Sequence, residues 1–274
     1  MTLQGLKYCT LEIIDTNILI IRLNRPKRLN ALHPEACCEL DRVFNWFSDT
    51  DELCVAIVTG NGRAFCAGFD LKAFFERTKS ETSQSISQMP STGFGGLTLR
   101  PNLFKPVIAA VNGIAFGGGF EIALACDIIV ASDTALFALP EPKVGLAALA
   151  GGLARLPRVV GYHKAMEYIL TGKPIPVEEA KQLGIVSQVV PNSSLLITAV
   201  DLAKSILKCC PESVQVSKQC VMESLQEASI FKSMKSQESS TLVQQMGMSY
   251  NSKEALRAFN EKRSPKWVFK KSKL

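Results

Sequence analysis

Histidine is nearly absent from this chain of 274 residues, which has only His33 and His163. That excludes zinc sites built on several imidazoles and leaves little for a Ser-His-Asp or Cys-His nucleophile. No metal site is expected. No Cys-x-x-Cys occurs among the nine cysteines, and two pairs, 37–38 and 209–210, are adjacent. An odd count with adjacent pairs suits neither ordinary disulfides nor a zinc ribbon; free thiols point to a reducing, intracellular place of work. Long apolar runs are also missing. Segments 107–111 and 144–154 are too short or too Gly-broken to span a bilayer, and the first residues lack the apolar core of a secretory signal. Neither Gly-x-Gly-x-x-Gly nor a P-loop occurs, so dinucleotide and ATP readings fall away.

The body of the chain also lacks surplus charge. The net charge is +6, and residues 250–274, with eight Lys/Arg against two Glu, hold all of it. A basic tail on a neutral body argues against a nucleic-acid partner. With 47% hydrophobic and 20% charged residues the chain is not disordered, and its length suits one main domain with a smaller appendage. The tail ends in Ser272-Lys273-Leu274, which reads as a peroxisomal import tripeptide recognised by a receptor.

Residues 8–14 and 18–23 read as two strands joined at Asp15-Thr16-Asn17. Segment 34–47 has helical spacing of Ala36, Leu40, Val43, Phe44 and Phe47 behind Pro34. Strands are expected at 55–59, 107–111 and 127–131, a helix at 120–125, and a mobile loop or lid at 78–99. Beyond 160 the pattern turns helical, at 163–170, 177–183, 194–208, 212–225 and 252–260, with one late strand at 185–190. Strands alternating with helices predict an α/β fold with a largely parallel sheet.

Three motifs carry candidate chemistry: Phe65-Cys66-Ala67-Gly68-Phe69-Asp70, Asn112 to Glu121 with its Gly117-Gly118-Gly119, and Pro140-Glu141-Pro142-Lys143-Val144-Gly145-Leu146. A triple glycine at a helix entry lets groups approach the backbone and aims amide N–H groups at a ligand oxygen. With a second Gly turn at Gly68, two N–H groups could converge as an oxyanion hole. The plain alternative is backbone packing. Glu121 lies one turn into that helix and Glu141 sits in apolar surroundings, which suits acid–base work. A helix-dipole glutamate and a loop ion pair are the plain alternatives.

Together these motifs, with Asn24-Arg25-Pro26, Asn30-Ala31-Leu32, Cys126 to Ala131 and Ala258 to Trp267, resemble the crotonase superfamily, the enoyl-CoA hydratase/isomerase family. The resemblance implies a crotonase-like spiral of ββα turns with a C-terminal helical trimerisation region. It places the acyl-CoA-binding and catalytic core at 1–195 and a helical oligomerisation region with the targeting tail at 196–274. It implies a homotrimer or dimer of trimers, acyl-CoA as substrate with coenzyme A as part of it and no separate cofactor, and residence in the peroxisomal matrix.

Carried over residue by residue, the resemblance makes Glu121 and Glu141 the catalytic pair and the amides of Phe69 and Gly118 the oxyanion hole. It puts CoA on Lys27, Ala67, Gly68, Phe69, Asp70, Leu71 and Lys72, with Lys262 or Arg263 reaching toward it. The pair implies an enoyl-CoA hydratase adding water to trans-2-enoyl-CoA, in peroxisomal fatty-acid β-oxidation. The alternatives are a 3,2-enoyl-CoA isomerase, a dehydratase of a specialised acyl-CoA, and a catalytically silent acyl-CoA-binding protein. Leu149 stands where a dienoyl-CoA isomerase of the family has its further acid, which argues against that activity.

Overall fold

The computed structural model describes residues 3–78 and 88–269. Strands β1 (Cys9–Ile14) and β2 (Ile18–Leu23) form the expected antiparallel hairpin, with Asp15 and Thr16 in the left-handed region at its turn. Helix α1 (Pro34–Asp49) follows, capped by His33, whose Nδ1 accepts from the Ala36 amide at 3.2 Å. The chain then winds as a spiral. One turn comprises β3 (Val55–Gly60), β4 (Ala64–Cys66) and α2 (Leu71–Thr78). The next comprises β5 (Val107–Val111), β6 (Ile114–Phe116) and α3 (Gly118–Ala125). The third adds β7 (Ile128–Ser132) and β8 (Leu136–Ala138), then a 3-10 turn (Glu141–Val144) and α4 (Gly152–Val160).

Helix α5 (Tyr162–Thr171), β9 (Ile175–Pro176), α6 (Val177–Gln182), β10 (Gln188–Val190) and α7 (Leu195–Leu207) complete the core. The long strands form a six-stranded sheet in the order β1-β2-β3-β5-β7-β10, parallel beyond the hairpin. The short ones form a second sheet, β4-β6-β8-β9, in which only β8–β9 is antiparallel.

The large sheet is covered on both faces. Leu19, Ile21, Ala56, Val58, Ala109 and Val111 face one core, shared with α1 and the small sheet. Ile18, Ile20, Val55, Ile57, Ile108, Ala110 and Val130 face another, closed by Leu195, Ala199 and Ala203 of α7. Burial on both faces is why these strands read as continuous apolar runs instead of alternating ones.

Topology also positions the site. Because β4 and β6 are parallel neighbours, the turns into α2 and α3 emerge side by side. Because β8 pairs with the other side of β6, the segment after β8 arrives at the same edge.

Four helices end the described chain: α8 (Pro211–Ser224), α9 (Ile230–Glu238), α10 (Thr241–Met248) and α11 (Tyr250–Asn260). Among the described residues no helix is long and apolar enough to cross a membrane, and no group of three His, Cys, Asp or Glu could hold a metal ion.

The expected lid at 78–99 needs correction. Residues 79–87 lie outside the described residues, but 92–99 is packed structure. Phe94 and Leu97 are buried, the Thr92 hydroxyl donates to Asp41 at 2.6 Å, and Arg100 pairs with the same carboxylate. An uncharged Ser/Thr/Gly-rich stretch reads as loop because its anchors, on α1, are some fifty residues away in sequence. The late strand is shorter than expected: Ile185 and Val186 are buried in the turn ahead of β10. The import tripeptide at 272–274 also lies outside the described residues.

Candidate active site

The turn after β4 is held open by its neighbours. Leu32 forms a parallel bridge with Phe69: its amide donates to the Gly68 carbonyl at 2.8 Å, and its carbonyl accepts from the Asp70 amide at 2.9 Å. In such a bridge the flanking residues make the bonds, so the Phe69 amide points to the opposite side. Gly68 has φ +90°, and a Cβ there would lie 2.7 Å from the Phe116 carbonyl oxygen and 3.0 Å from the Gly118 nitrogen. Only glycine allows this approach, and it brings the two turns together.

The partner turn caps α3. Gly117 is the N-cap residue at φ +51°, so the Gly118 amide opens the first turn of the helix and has no carbonyl behind it to bond. The Phe94 ring lies directly on the Gly118 Cα, closing that side with an apolar wall. The amides of Phe69 and Gly118, the two residues expected to form an oxyanion hole, thus belong to adjoining turns.

Both glutamates belong to elements that meet at this edge. Glu121 is only 3% exposed, and its Oε1 accepts from the Gly152 amide at 2.8 Å, with a further bond from the Ala150 amide. Burial pushes its carboxyl up to about 7, aided by the charge of Glu141. The two amides and the nearby Arg155 pull the other way. Glu141 begins the 3-10 turn after β8. A Cβ on Gly117 would lie 2.7 Å from its Oε1, so the carboxyl rests against the oxyanion turn. Its Oε2 is buried with no hydrogen-bond partner among the described residues. Burial raises this carboxyl too, partly offset by its own amide. A buried acceptor without a partner among the described residues, beside a second carboxyl with a raised pKa, is suited to holding a water or a substrate hydroxyl.

The expected CoA residues divide. Ala67 binds the Leu29 carbonyl through its amide at 2.9 Å, so its segment adjoins the exposed turn that carries Lys27. Leu71 and Lys72 open α2 and are exposed. Asp70 is different. Its Oδ1 accepts from the Ala73 amide at 3.0 Å, and its Oδ2 pairs with Arg25 at 2.9 Å. Burial alone would raise this carboxyl, but the Ala73 amide and the Arg25 guanidinium outweigh it and hold it low. Its side chain is therefore committed to capping α2 and fixing the Arg25 loop. Arg263 is likewise committed, to Glu254 at 2.6 Å and to Glu261.

Two residues of this framework went unread in the sequence. Asn30 is fully buried. It donates to the Asn61 and Ala64 carbonyls at 3.0 and 2.8 Å and accepts from the Arg25 amide at 2.9 Å, tying the Arg25 loop to β4. Arg25 anchors Asp70. Their signal was present in the Asn24-Arg25-Pro26 and Asn30-Ala31-Leu32 motifs, but their partners lie more than thirty residues on.

Comparison with known proteins extends this picture over the whole chain. The family model described as enoyl-CoA hydratase/isomerase matches residues 14–270. The mevalonyl-coenzyme A hydratase of Aspergillus fumigatus is 39% identical over 270 residues, 97% of this chain and 96% of the relative. The carnitinyl-CoA dehydratase of Proteus mirabilis is 41% identical over 255 residues, 92% of this chain and 95% of the relative. The crystal structure of an enoyl-CoA hydratase from Mycobacterium tuberculosis superposes with a TM-score of 0.84 at 38% identity, covering 96% of this chain and 99% of that one. The spiral, the two mixed sheets and the C-terminal helices are those of that structural class, and the chain belongs to the enoyl-CoA hydratase/isomerase (crotonase) family, as a hydratase-like hydro-lyase of acyl-CoA chemistry.

Proposed function

We propose that this protein interconverts a 3-hydroxyacyl-CoA and its 2-enoyl-CoA by loss or gain of water, with a short acyl chain carrying a further polar group. The observation that carries the reaction is the Glu141 carboxyl, its Oε1 against the glycine turn that Glu121 follows and its buried Oε2 without a hydrogen-bond partner among the described residues. In the dehydrating direction one carboxylate of the pair takes the C2 proton. The thioester oxygen gains negative charge, which the Phe69 and Gly118 amides stabilise. The C2–H electrons form the C2=C3 bond, the C3–O bond breaks, and the carboxylic acid of the pair gives its proton to the departing hydroxyl, which leaves as water. Hydration is the reverse. Burial raises both carboxyls, and acid and base belong to the pair jointly.

The substrate class rests on the relatives. Mevalonyl and carnitinyl are both short acyl groups with an oxygen at C3 and a second polar group, a hydroxyl or a quaternary ammonium, beyond it. This supports the specialised dehydratase over general fatty-acid β-oxidation. Unbranched trans-2-enoyl-CoA is the second reading, favoured by the likeness to the mycobacterial hydratase.

Further proposals follow from the resemblance. Ser272-Lys273-Leu274 directs the enzyme to the peroxisomal matrix through the import receptor, testable by fusing the tail to a reporter. CoA lies along Lys27 and the Ala67–Lys72 segment, the Asp70 side chain excepted. Helix α7 packs on a core cluster, and the helical region at 196–274 mediates, through α8 to α11, a homotrimer or dimer of trimers.

The deciding assay follows conjugated-thioester absorbance with mevalonyl-CoA, carnitinyl-CoA, 3-hydroxybutyryl-CoA and longer 3-hydroxyacyl-CoAs. The expected result is a kcat/KM at least about tenfold higher on one polar-chain substrate. Highest kcat/KM on the unbranched series overturns the substrate class. Gain of conjugation only from 3-enoyl-CoA, dependent on Glu141 alone, overturns the reaction.

A further inference from the structure

Arg155 has no part in the chemistry described so far, yet it touches both halves of the site. It lies one turn into α4, and its Nη2 donates to the Thr98 carbonyl at 2.7 Å. That carbonyl belongs to the packed turn in which the Thr98 hydroxyl accepts from the Phe94 amide at 2.9 Å, and the Phe94 ring backs Gly118. The other arm, Nη1, lies on the face of Gly151, which sits at φ +112° with no side chain to obstruct it. Gly151 is the N-cap of α4, between the two residues whose amides hold Glu121. One guanidinium therefore spans the wall behind the oxyanion turn and the loop that grips the buried carboxyl.

We infer that Arg155 is a positioning residue for the Glu121–Glu141 pair. Its fork fixes the 150–152 loop against the Phe94–Thr98 turn, and its positive charge favours the ionised form of Glu121. The charged groups acting on Glu121 are Glu141, which opposes ionisation, and Arg155, which favours it; on Arg155 itself the Cys126 thiol at the end of α3 also acts. A structural-only arginine would need the fork but not this charge. The inference rests on the reading of the glutamate pair, and the experiment separates the two.

The test measures kcat and KM against pH for the wild type, Arg155→Lys, Arg155→Met and Glu121→Gln, on whichever 3-hydroxyacyl-CoA the wild type turns over best. Thermal melting of each variant reports folding. For Arg155→Met the expected result is a fall in kcat of roughly 10- to 100-fold, with KM changed less than about threefold. Its pH profile moves up, because the Arg155 charge that favours the ionised form of Glu121 is gone. Arg155→Lys returns the profile to its wild-type position while kcat recovers only in part, since the ammonium keeps the charge but not the fork. If Arg155→Met does not fold, Arg155→Gln, uncharged but still a donor to Thr98, reads the same shift. An unmoved profile in the uncharged variant, with Glu121→Gln inactive, overturns the inference and leaves the pair intact. Full activity of Glu121→Gln overturns the reading of the pair itself.

Discussion

The spiral core and the C-terminal helices are held together by different means. In the core, β2, β3 and β5 are apolar on both faces, and Phe44, Phe65, Phe120 and Phe137 are fully buried or nearly so. Helices α8 and α10 bury no residue completely, and α9 buries only Ser233. Polar bonds hold this region instead. Lys218 binds the Lys105 carbonyl and Asp127 at 3.0 and 2.7 Å, Asn251 binds Glu212 and the Val268 carbonyl, and Arg263 binds Glu254. Meanwhile Phe231 is 81% exposed and Phe259 86%. The core packs most of its large apolar side chains within one chain, although Leu149, Leu170 and Ile197 stay exposed, whereas Ala258 is the one buried apolar residue among the described residues of the tail. That contrast fits the proposed assembly, and it also fits the place of the chemistry in the core, since burial is the main cause that raises both carboxyls.

Four experiments break or sharpen the contrast. The largest effect belongs to the site. Glu121→Gln and Glu141→Gln should each lower kcat by roughly 10²–10⁴-fold in the absorbance assay, with melting temperatures no lower than wild type at neutral pH. Next comes the core itself. Phe137→Ala should cost about 3–5 kcal/mol in denaturant unfolding, whereas Phe231→Ala should change it by less than about 0.5 kcal/mol and show instead as a smaller species in analytical ultracentrifugation. Equal costs for the two would end the distinction.

The third effect is pH-dependent. Glu121 titrates at an ordinary 4.5 when unfolded and about 7 when folded, so the native chain holds its proton more tightly. The stability from this group is therefore fully present below about pH 4.5 and is lost as the pH rises through about 7. The difference is about 3 kcal/mol, and Glu121→Gln should flatten it in stability measured from pH 4.5 to 8. The smallest effect is at the junction. Lys218→Met should cost about 1–2 kcal/mol and raise hydrogen exchange in α8 before it does so in β5.

The strands and helices with strong patterns were legible: β1, β2, β3, β5, β7, α1 and α3 from Phe120 onward lie where the apolar spacing puts them. The second sheet was not, because strands of two or three residues have no periodicity to read. Helix α2 was hidden for another reason. Its cap is Asp70, and a capping aspartate inside a recognised motif reads as ligand chemistry until its partners, Ala73 and Arg25, are seen. The packed turn at 92–99 was missed because Asp41, which holds it, is remote in sequence.

The sequence alone determined the identities the chemistry needs: two glutamates twenty residues apart, two glycine turns at helix entries, no histidine device and no nucleotide loop. Tertiary structure decided which of them meet. The parallel order of β4, β6 and β8 sets Gly68, Gly117 and Glu141 at one edge, and burial, which no single residue carries, makes Glu121 a group that titrates near neutrality. It also tied the Asp70 carboxyl to Arg25 and the Ala73 amide and brought the Arg155 charge to act on Glu121. Residue type sets what a side chain can do; its solvent and its neighbours, which exist only once the chain is folded, set the free energy at which it does it.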